Sequence, residues 1–563
     1  MGPFGLITSR AIARVREQSE ESEESQRRDR RCAFRLSAAI AVSNMQIESF
    51  TTGTAKIARP VRRRTSFSLG VAPTTSKPTV SCLSSRISRV VSSSGAFACI
   101  GRGMIASAGD HASFVVGLLS KARSNETSTT TAAMPGSFDI PAAPLPALIP
   151  GGPWKLIEGS VTAPLGFSAQ GMYGGLRASG NKGDLALVVA DEPAVAGGVF
   201  TKNVMCAAPV LYCKEVLSRQ DAVKAVLINA GQANAATGEQ GYQDSLASAA
   251  KAAEALGCAP DDILLESTGV IGKRIMMNEL LEAVPVLAAN LGKGHADAHR
   301  AAVSITTTDL VSKSAAIEVE LGGGRMVRIG GIAKGSGMIH PNMATMLGVL
   351  TCDAPVDVAS WRSMLRNAAM NSFNQITVDG DTSTNDTVIG LASGAVGGET
   401  IVQDSPDGEL LERAMTALLQ GLAKSIAWDG EGATVLLECE VTGARSDYEA
   451  NQVAKSVVGS SLVKSAVFGH DPNWGRFAAA AGYSGVEYDQ GDVAITLGGM
   501  KLMEGGQPLA YDAAAASAYL KGKAGEHGTV QVQIRIGNGD GVGMAWGCDL
   551  SYDYVKINAE YTT

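Results

Sequence analysis

The stretch Lys334–Asp353, KGSGMIHPNMATMLGVLTCD, constrains the fold more than any other part of the chain. A flexible, glycine-rich segment runs into a rigid corner made by His340, Pro341 and Asn342, and an apolar, β-branched run then begins at Thr345. A run of this kind predicts a buried strand over Thr345–Cys352. The rest of the chain must therefore build a shared core around this strand.

Composition favours a compact enzyme of mixed helices and strands. Of the 563 residues, 45% are hydrophobic, 18% are charged and 65 are glycine, which predicts large cores and many turns. The net charge of −7 argues against a nucleic-acid-binding surface, and the lack of a long apolar run argues against a membrane span. The nine cysteines form no CxxC pair, so we expect reduced thiols and neither a disulfide framework nor a zinc site.

Residues 1–150 differ from the remainder and are predicted to be a disordered leader. Arg14–Arg31 is dense in charge without apolar periodicity, whereas Met45 to Arg123 is rich in serine and arginine and poor in acids. The second composition is typical of an organelle transit peptide, and its high serine content favours the chloroplast stroma over the mitochondrion. The alternative is a tail without a targeting role. The acidic segment suggests a true start at Met45 or later, and the proline-rich run Pro141–Pro153 is predicted to be a linker.

The body beginning near Trp154 alternates strand-like and helix-like segments, which predicts a layered α+β fold. Strands are predicted at Asp184–Ala190, Ala194–Thr201, Ala208–Cys213, Val223–Asn229, Thr434–Val441, Val493–Leu497 and Thr529–Ile536. Helices are predicted at Leu246–Leu256, Val358–Asn371, Glu409–Ala427, Glu449–Phe468 and Asp512–Lys521.

Thr345 is a candidate nucleophile of an unusual kind. If the Ala344–Thr345 bond breaks, Thr345 gains a free α-amine, with a reference pKa of about 7.7–8.0, beside its own hydroxyl. One residue would then supply nucleophile and base. The ordinary alternative is a threonine that merely starts a strand. Among the six histidines, His340 is predicted to shape the loop and not to act as the base.

Lys334–Asp353 resembles the processing and nucleophile segment of the ornithine acetyltransferase (ArgJ-like) family, the bifunctional glutamate N-acetyltransferases of arginine biosynthesis. Further stretches resemble family motifs in the same order, from Trp154 to the last residue. They are STGVIG at Ser267–Gly272, TTTD at Thr306–Asp309, TVDGDTSTNDT at Thr377–Thr387, WDGEGAT at Trp428–Thr434, GHDPNWGR at Gly469–Arg476 and the final segment Ala545–Thr563.

The resemblance implies a role for individual residues. Thr345 would be the nucleophile, Ala344–Thr345 the self-cleaved bond, and Thr268 with Gly269 the oxyanion hole, where a hydroxyl and a glycine N–H converge on developing charge. The implied substrate-binding residues are Thr307, Lys334, Thr345, Glu431, Asn558 and Thr563, with Thr308 as the alternative to Thr307. An ammonium at Lys334 would help to keep the freed amine neutral, and Glu431 suits an amino group.

The resemblance also implies an architecture and a reaction. We expect an α/β/β/α-type layered sandwich of the aminopeptidase kind, made of residues 151–344 and 345–563 as two processed chains, with a smaller C-terminal α/β domain from about residue 445. Two copies of each chain would assemble. Acetyl would pass from N2-acetylornithine to glutamate through acetyl-Thr345, without a metal or other cofactor. The sequence does not decide whether acetyl-CoA is a second donor, because no phosphate-binding loop is visible.

Two rival functions and one rival site follow from the same residues. A self-processing aminopeptidase or amidase would use the same nucleophile but pass the acyl group to water, and a non-catalytic protein would lack the nucleophile.

Asp379, Asp381 and Asp386 superficially suggest calcium ligands. They lack the spacing and the terminal glutamate of an EF-hand loop, so we predict a hydrogen-bonded structural loop near the site.

Overall fold

The computed structural model describes residues 134–177, 180–341 and 346–560. Most of the predicted leader, together with Ala344, Thr345 and Thr563, lies outside these residues. In the described part no helix combines the length and apolarity needed to cross a membrane.

A nine-stranded sheet forms the main body. Its strands are β1 (Trp154–Ile157), β2 (Phe167–Met172), β3 (Leu185–Phe200), β4 (Ala222–Asn229), β5 (Ile263–Ser267), β6 (Lys313–Leu321), β7 (Arg325–Lys334), β8 (Leu347–Cys352) and β9 (Thr387–Ala392). They lie in the order β1-β6-β7-β8-β9-β3-β4-β5, and β2 pairs with β3. The predicted buried strand is β8, which begins at Leu347 among the described residues and pairs with β7 on one side and β9 on the other.

The side chains of β8 enter two different cores, because successive residues of a strand point to opposite faces. Leu350 and Cys352 join the core under the helices that follow β8 and β9, which contribute Trp361 and Leu418. Leu347 and Val349 join the other core, together with side chains of β2–β5. The predicted layered sandwich is therefore confirmed.

The long strand β3 joins two parts of the nine-stranded sheet. Its first half pairs with β2 and β4, whereas Val195–Phe200 pairs with β9, and the register with β4 shifts between Val189 and Ala194. The helices of the body are α1 (Leu145–Leu148), α2 (Ala208–Arg219), α3 (Gly238–Leu256), α4 (Met277–Ala289), α5 (His295–Ser304), α6 (Val358–Met370) and α7 (Pro406–Trp428). Helices α6 and α7 cover one face, and α2 and α3 pack on the β4–β5 side.

The predicted strand at Ala208–Cys213 was wrong, because these residues begin α2. Pro209 occupies the first helical turn, where its fixed φ favours a helix and its missing N–H costs nothing. Val210, Cys213 and Val216 are buried at helical spacing, so the apolar run serves a helix face.

The proline-rich segment predicted to be a linker instead packs on the body. Leu145 and Leu148 of α1 are buried in the first core. Ser312 N donates to Pro141 O at 2.8 Å, and Ala143 N donates to Ser312 O at 2.9 Å. The folded body thus begins before Trp154, since the leucines between the prolines have a core to fill.

A second, six-stranded sheet lies in the C-terminal part of the chain, where a smaller domain was predicted. Its strands are β10 (Leu436–Ala444), β11 (Ala494–Leu497), β12 (Met500–Glu504), β13 (Gln507–Pro508), β14 (Thr529–Arg535) and β15 (Gly541–Cys548), in the order β13-β12-β11-β14-β10-β15. Its helices are α8 (Asp447–Gly459), α9 (Ser461–Phe468), α10 (Trp474–Gly482) and α11 (Ala513–Gly525). The predicted boundary near residue 445 falls after β10, which already belongs to this sheet.

The predicted single helix Glu449–Phe468 is two helices, because Ser460 ends α8 and caps α9 through its hydroxyl. The last helix, α12 (Tyr552–Glu560), leaves the second sheet and returns to the main body. There Asn558 Nδ2 donates to Glu431 Oε2 at 2.8 Å.

Candidate active site

One cavity of about 280 Å³ gathers every predicted site residue that the structure describes. These residues are Thr268, Gly269, Thr307, Thr308, Lys334, Glu431 and Asn558. Met346, which follows Thr345 in the chain, lines the same cavity. Two larger cavities, of about 710 and 790 Å³, contain none of these residues.

Thr268 and Gly269 lie directly after β5, where the chain turns sharply. Gly269 has a φ of +118°, and a Cβ there would lie 2.4 Å from the carbonyl oxygen of Gly231. Only glycine fits such a position. The Thr268 hydroxyl faces the cavity and accepts a 3.4 Å hydrogen bond from Lys334 Nζ. The turn thus places a hydroxyl and a glycine backbone together, as an oxyanion hole requires.

Lys334 ends β7 with its side chain buried, at 7% exposure. Burial lowers its pKa, Asp309 opposes that shift, and Lys313 adds to it. Asp386 and Glu431, which line the same cavity, also favour its charged form. The cavity therefore contains a partly compensated cation next to the proposed oxyanion hole.

A buried cluster of three charged side chains lies next to the cavity, behind Lys334. Lys313 Nζ lies 2.7 Å from Asp309 Oδ1 and 2.6 Å from Asp429 Oδ2, and its side chain is fully buried. Burial alone would raise the pKa of Asp309, but Lys313 and Lys334 hold it below its usual range. Asp309 Oδ1 also accepts from Gly335 N at 2.7 Å, which fixes the start of the glycine-rich segment.

Sequence reasoning missed this cluster, although two of its members were inside motifs. Asp309 closes TTTD, and Asp429 precedes Glu431 in WDGEGAT. An acid inside a motif was the available signal. Lys313 carried none, because a single lysine is ordinarily a surface residue.

Glycines let Glu431 approach the backbone closely. A Cβ on Gly337 would lie 2.5 Å from the carboxylate atoms of Glu431. Gly432 has a φ of +71°, and a Cβ there would lie 2.6 Å from Tyr554 N of α12. Glu431 N donates to Ser336 O at 2.9 Å. Glu431 is therefore packed between the segment at Ser336 and Gly337 and the helix α12.

Both candidate threonines of TTTD line the cavity, but their surroundings differ. The hydroxyls of Thr308 and Ser336 lie 2.6 Å apart and hydrogen-bond each other. Thr307 N donates to Asp309 Oδ2 at 2.9 Å, and within the described ranges no hydrogen bond engages its side chain. Thr307 is therefore better placed than Thr308 to offer a hydroxyl to a ligand.

The segment Met338–His340 is held by Asp379 and Thr377. The Asp379 carboxylate accepts from Met338 N, Ile339 N and Asp381 N at 2.6, 2.9 and 3.1 Å. His340 Nδ1 lies 3.0 Å from Thr377 Oγ1. Burial and nearby Lys455 lower the pKa of His340 to about 4, so its ring is neutral at pH 7.

The three acids of VDGDTSTND do not act together. Asp379 has the predicted structural role and Asp381 is exposed, whereas Asp386 is buried and lines the cavity. Across residues 134–177, 180–341 and 346–560, no group of three or more His, Cys, Asp and Glu side chains could hold a metal ion.

Comparison with known proteins shows relatives along most of the chain. The model of the ArgJ family matches residues 168–563. The "arginine biosynthesis bifunctional protein ArgJ, chloroplastic" of Ostreococcus lucimarinus is 58% identical over 433 residues, which are 76% of this chain and 94% of that protein. The protein of the same name from Citrullus lanatus is 59% identical over 428 residues, covering 75% and 92%. A solved ArgJ chain from Bacillus halodurans is 46% identical, covers 38% of this chain and 97% of its own, and superposes with a TM-score of 0.36.

Proposed function

The chain belongs to the ArgJ family, and from that premise we propose that it transfers the acetyl group of N2-acetylornithine to glutamate in arginine biosynthesis. The observation that carries the proposal is the convergence of four separate motifs and the last helix on one cavity next to Met346. The word "bifunctional" in the relatives' names supports acetyl-CoA as a second acetyl donor. The relatives are chloroplastic, and the chloroplast localisation predicted from the leader is confirmed.

The nucleophile is created by self-cleavage. Thr345 Oγ attacks the carbonyl carbon of Ala344, the Ala344–Thr345 amide becomes an ester, and water hydrolyses that ester. The products are a carboxylate on Ala344 and a free α-amine on Thr345. Near pH 8 a useful fraction of such an amine is neutral and can accept a proton. The ammonium of Lys334 disfavours a second positive charge nearby, which keeps the amine available as a base.

Acetyl transfer then runs in two half-reactions at the same cavity. Thr345 Oγ attacks the acetyl carbonyl, its proton passes to the α-amine, and Thr268 and Gly269 stabilise the oxyanion. The bond to the ornithine nitrogen breaks, and that nitrogen leaves with the proton. The amine of glutamate next attacks the carbonyl carbon of acetyl-Thr345 and loses a proton to the α-amine. The bond between that carbon and Thr345 Oγ breaks, the α-amine returns the proton to Oγ, and N-acetylglutamate departs.

The remaining contacts are assigned to substrate binding. Thr307, Glu431 and Asn558 offer a hydroxyl, a carboxylate and an amide to the ligand. Thr563, three residues beyond the described helix α12, is proposed to complete this set. The processed chains 151–344 and 345–563 are proposed to assemble as two copies of each.

The test is turnover of N-acetylornithine by the purified enzyme with and without glutamate. The proposal expects ornithine and N-acetylglutamate to form together, with ping-pong kinetics. Release of free acetate at the same rate without glutamate would identify an amidase instead. Sequential kinetics, which require both substrates bound at once, would contradict the acetyl-enzyme.

A further inference from the structure

Asp386 is a buried acid that the mechanism above leaves unused. It precedes β9, is 2% exposed and lines the cavity with Lys334 and Glu431. Its Oδ2 atom has no hydrogen-bond partner in the described part of the chain. A buried carboxyl oxygen without a hydrogen-bond partner lowers the stability of the fold. Because this oxygen belongs to a residue that lines a ligand cavity, a bound ligand is the natural partner for it.

The proposed reaction poses an electrostatic problem for this cavity. Ornithine carries an ammonium on its side chain, whereas glutamate carries a carboxylate, and both must occupy one site in turn. A fixed charge that favours one side chain opposes the other. Lys334 and Glu431 are opposite in sign, so neither can serve both substrates without a third group that compensates the change.

We propose that Asp386 makes one cavity accept both side chains by changing its own charge. With ornithine bound it is a carboxylate that compensates the ammonium, and with glutamate bound it is a carboxylic acid that donates from Oδ2 to the substrate carboxylate. The proton is taken from solvent when glutamate replaces ornithine and returns to solvent in the next cycle. This inference rests on the proposed function, because it requires these two substrates.

The surroundings of Asp386 shift its pKa in opposite directions, so a small change in charge nearby can change its protonation state. Burial raises its pKa well above the usual value, while Ser383, Lys334 and Thr201 lower it. Lys334 is the charged side chain that faces Asp386, and Lys334 is itself opposed by Asp309 and reinforced by Lys313. A charged ligand that enters this balance can move the proton on or off Asp386.

The competing explanation is structural. Asp386 O accepts from Thr201 N at 2.9 Å, and Thr201 Oγ1 donates to Ser383 O at 2.9 Å, so Asp386 is part of the hydrogen-bonded loop. If this were its whole role, a substitution would weaken the loop and impair both substrates alike. A split between the substrates separates the two explanations.

The first experiment compares Asp386→Asn with Asp381→Asn, the same change at an exposed position of the same loop. The asparagine cannot become negative, so kcat/KM for N-acetylornithine should fall by about 10- to 100-fold, the usual range for losing a charged hydrogen bond. For glutamate kcat/KM should change less than about threefold, because an amide N–H can replace the acid. Asp381→Asn should match the wild type.

Equal losses for both substrates would overturn the inference and leave a structural role. A wild-type enzyme that does not deacetylate N-acetylornithine would instead overturn the proposed function, so the two failures are distinguishable.

The second experiment needs no variant and therefore does not depend on folding of Asp386→Asn. Ornithine or glutamate alone is titrated into the wild-type enzyme by calorimetry in buffers of different ionisation enthalpy. The inference expects the number of protons taken up to differ by about one between the two ligands, with more uptake for glutamate. Identical proton uptake for the two ligands would overturn it.

Discussion

Gly337 leaves the space that is occupied by the carboxylate of Glu431, which we propose binds substrate. Gly337→Ala would push the Glu431 carboxylate away from its place, because the new Cβ would sit 2.5 Å from its atoms. We expect KM for N-acetylornithine to rise by about 10-fold or more, from loss of a charged hydrogen bond, with a smaller effect on kcat.

Gly522→Ala is the matched control, because a Cβ on Gly522 of α11 would meet nothing within 4 Å. Steady-state kinetics on both variants give the answer. Equal KM values for Gly337→Ala and the wild type would mean that Glu431 does not contact the substrate.

At the scale of single residues, motifs predicted which side chains meet but not how they are held. Thr268, Lys334, Glu431 and Asn558 lie in the same cavity, as the resemblance implied. Asp386 was grouped with Asp379 because both occur in one acidic stretch. Burial separates them, and burial depends on the three-dimensional packing of segments far apart in sequence.

At the scale of elements, the buried ion pairs of Lys313 connect the segment around TTTD to the end of α7. Lys313 joins Asp309 to Asp429, which follows α7, with no exposure to water. Lys313→Met should lower the free energy of unfolding by about 3–5 kcal/mol, because two buried carboxylates lose their counter-charge.

Lys501→Met is the control for this change, since Lys501 pairs with Glu504 on the surface, at 65% and 40% exposure. That variant should lose no more than about 1 kcal/mol. Urea denaturation of both variants gives the comparison. A loss below about 1 kcal/mol for Lys313→Met would show that the buried cluster does not stabilise the fold.

Element boundaries were predictable where the local pattern and the tertiary environment agree. The strictly alternating run TVQVQIR forms β14, and the β-branched run forms β8. Ala208–Cys213 has the composition of a strand but becomes the helix α2, because Pro209 starts a helical turn there. The pairing of β3 with β2 and β4 in its first half and with β9 in its second half accompanies a register shift that no local sequence pattern shows.

At the scale of the whole molecule, His340 couples stability to pH. Its pKa is about 4 in the folded chain and 6.5 in the reference state, so the unfolded chain binds more protons between these values. Stability should therefore fall as pH drops from 6.5 to 4, and the penalty is complete below pH 4. The ring is partly exposed, so we expect a contribution of about 1–2 kcal/mol.

The measurement is the free energy of unfolding of the wild type and of His340→Asn at pH 7.5 and at pH 4.5. The difference between the two proteins should shift by that amount in favour of the variant at the lower pH. An unchanged difference would mean that His340 titrates alike in the folded and unfolded chains.

The whole fold explains why a cut chain would remain one molecule. Strand β7 precedes the proposed cleavage site and β8 follows it, yet they pair along Ile329–Lys334 and Leu347–Cys352. Strand β8 also pairs with β9 and places side chains in both cores. We expect two fragments that comigrate in native chromatography and separate only in denaturant.

The central claim is that Thr345 becomes a free N-terminus, and it is tested most directly by intact mass and N-terminal sequencing of protein expressed from about Ala142. The account predicts a new N-terminus at Thr345 in the wild type and an uncut chain in Thr345→Ala. An uncut wild-type chain that still transfers acetyl groups would contradict it, because no free amine would then exist at Thr345 to act as the base.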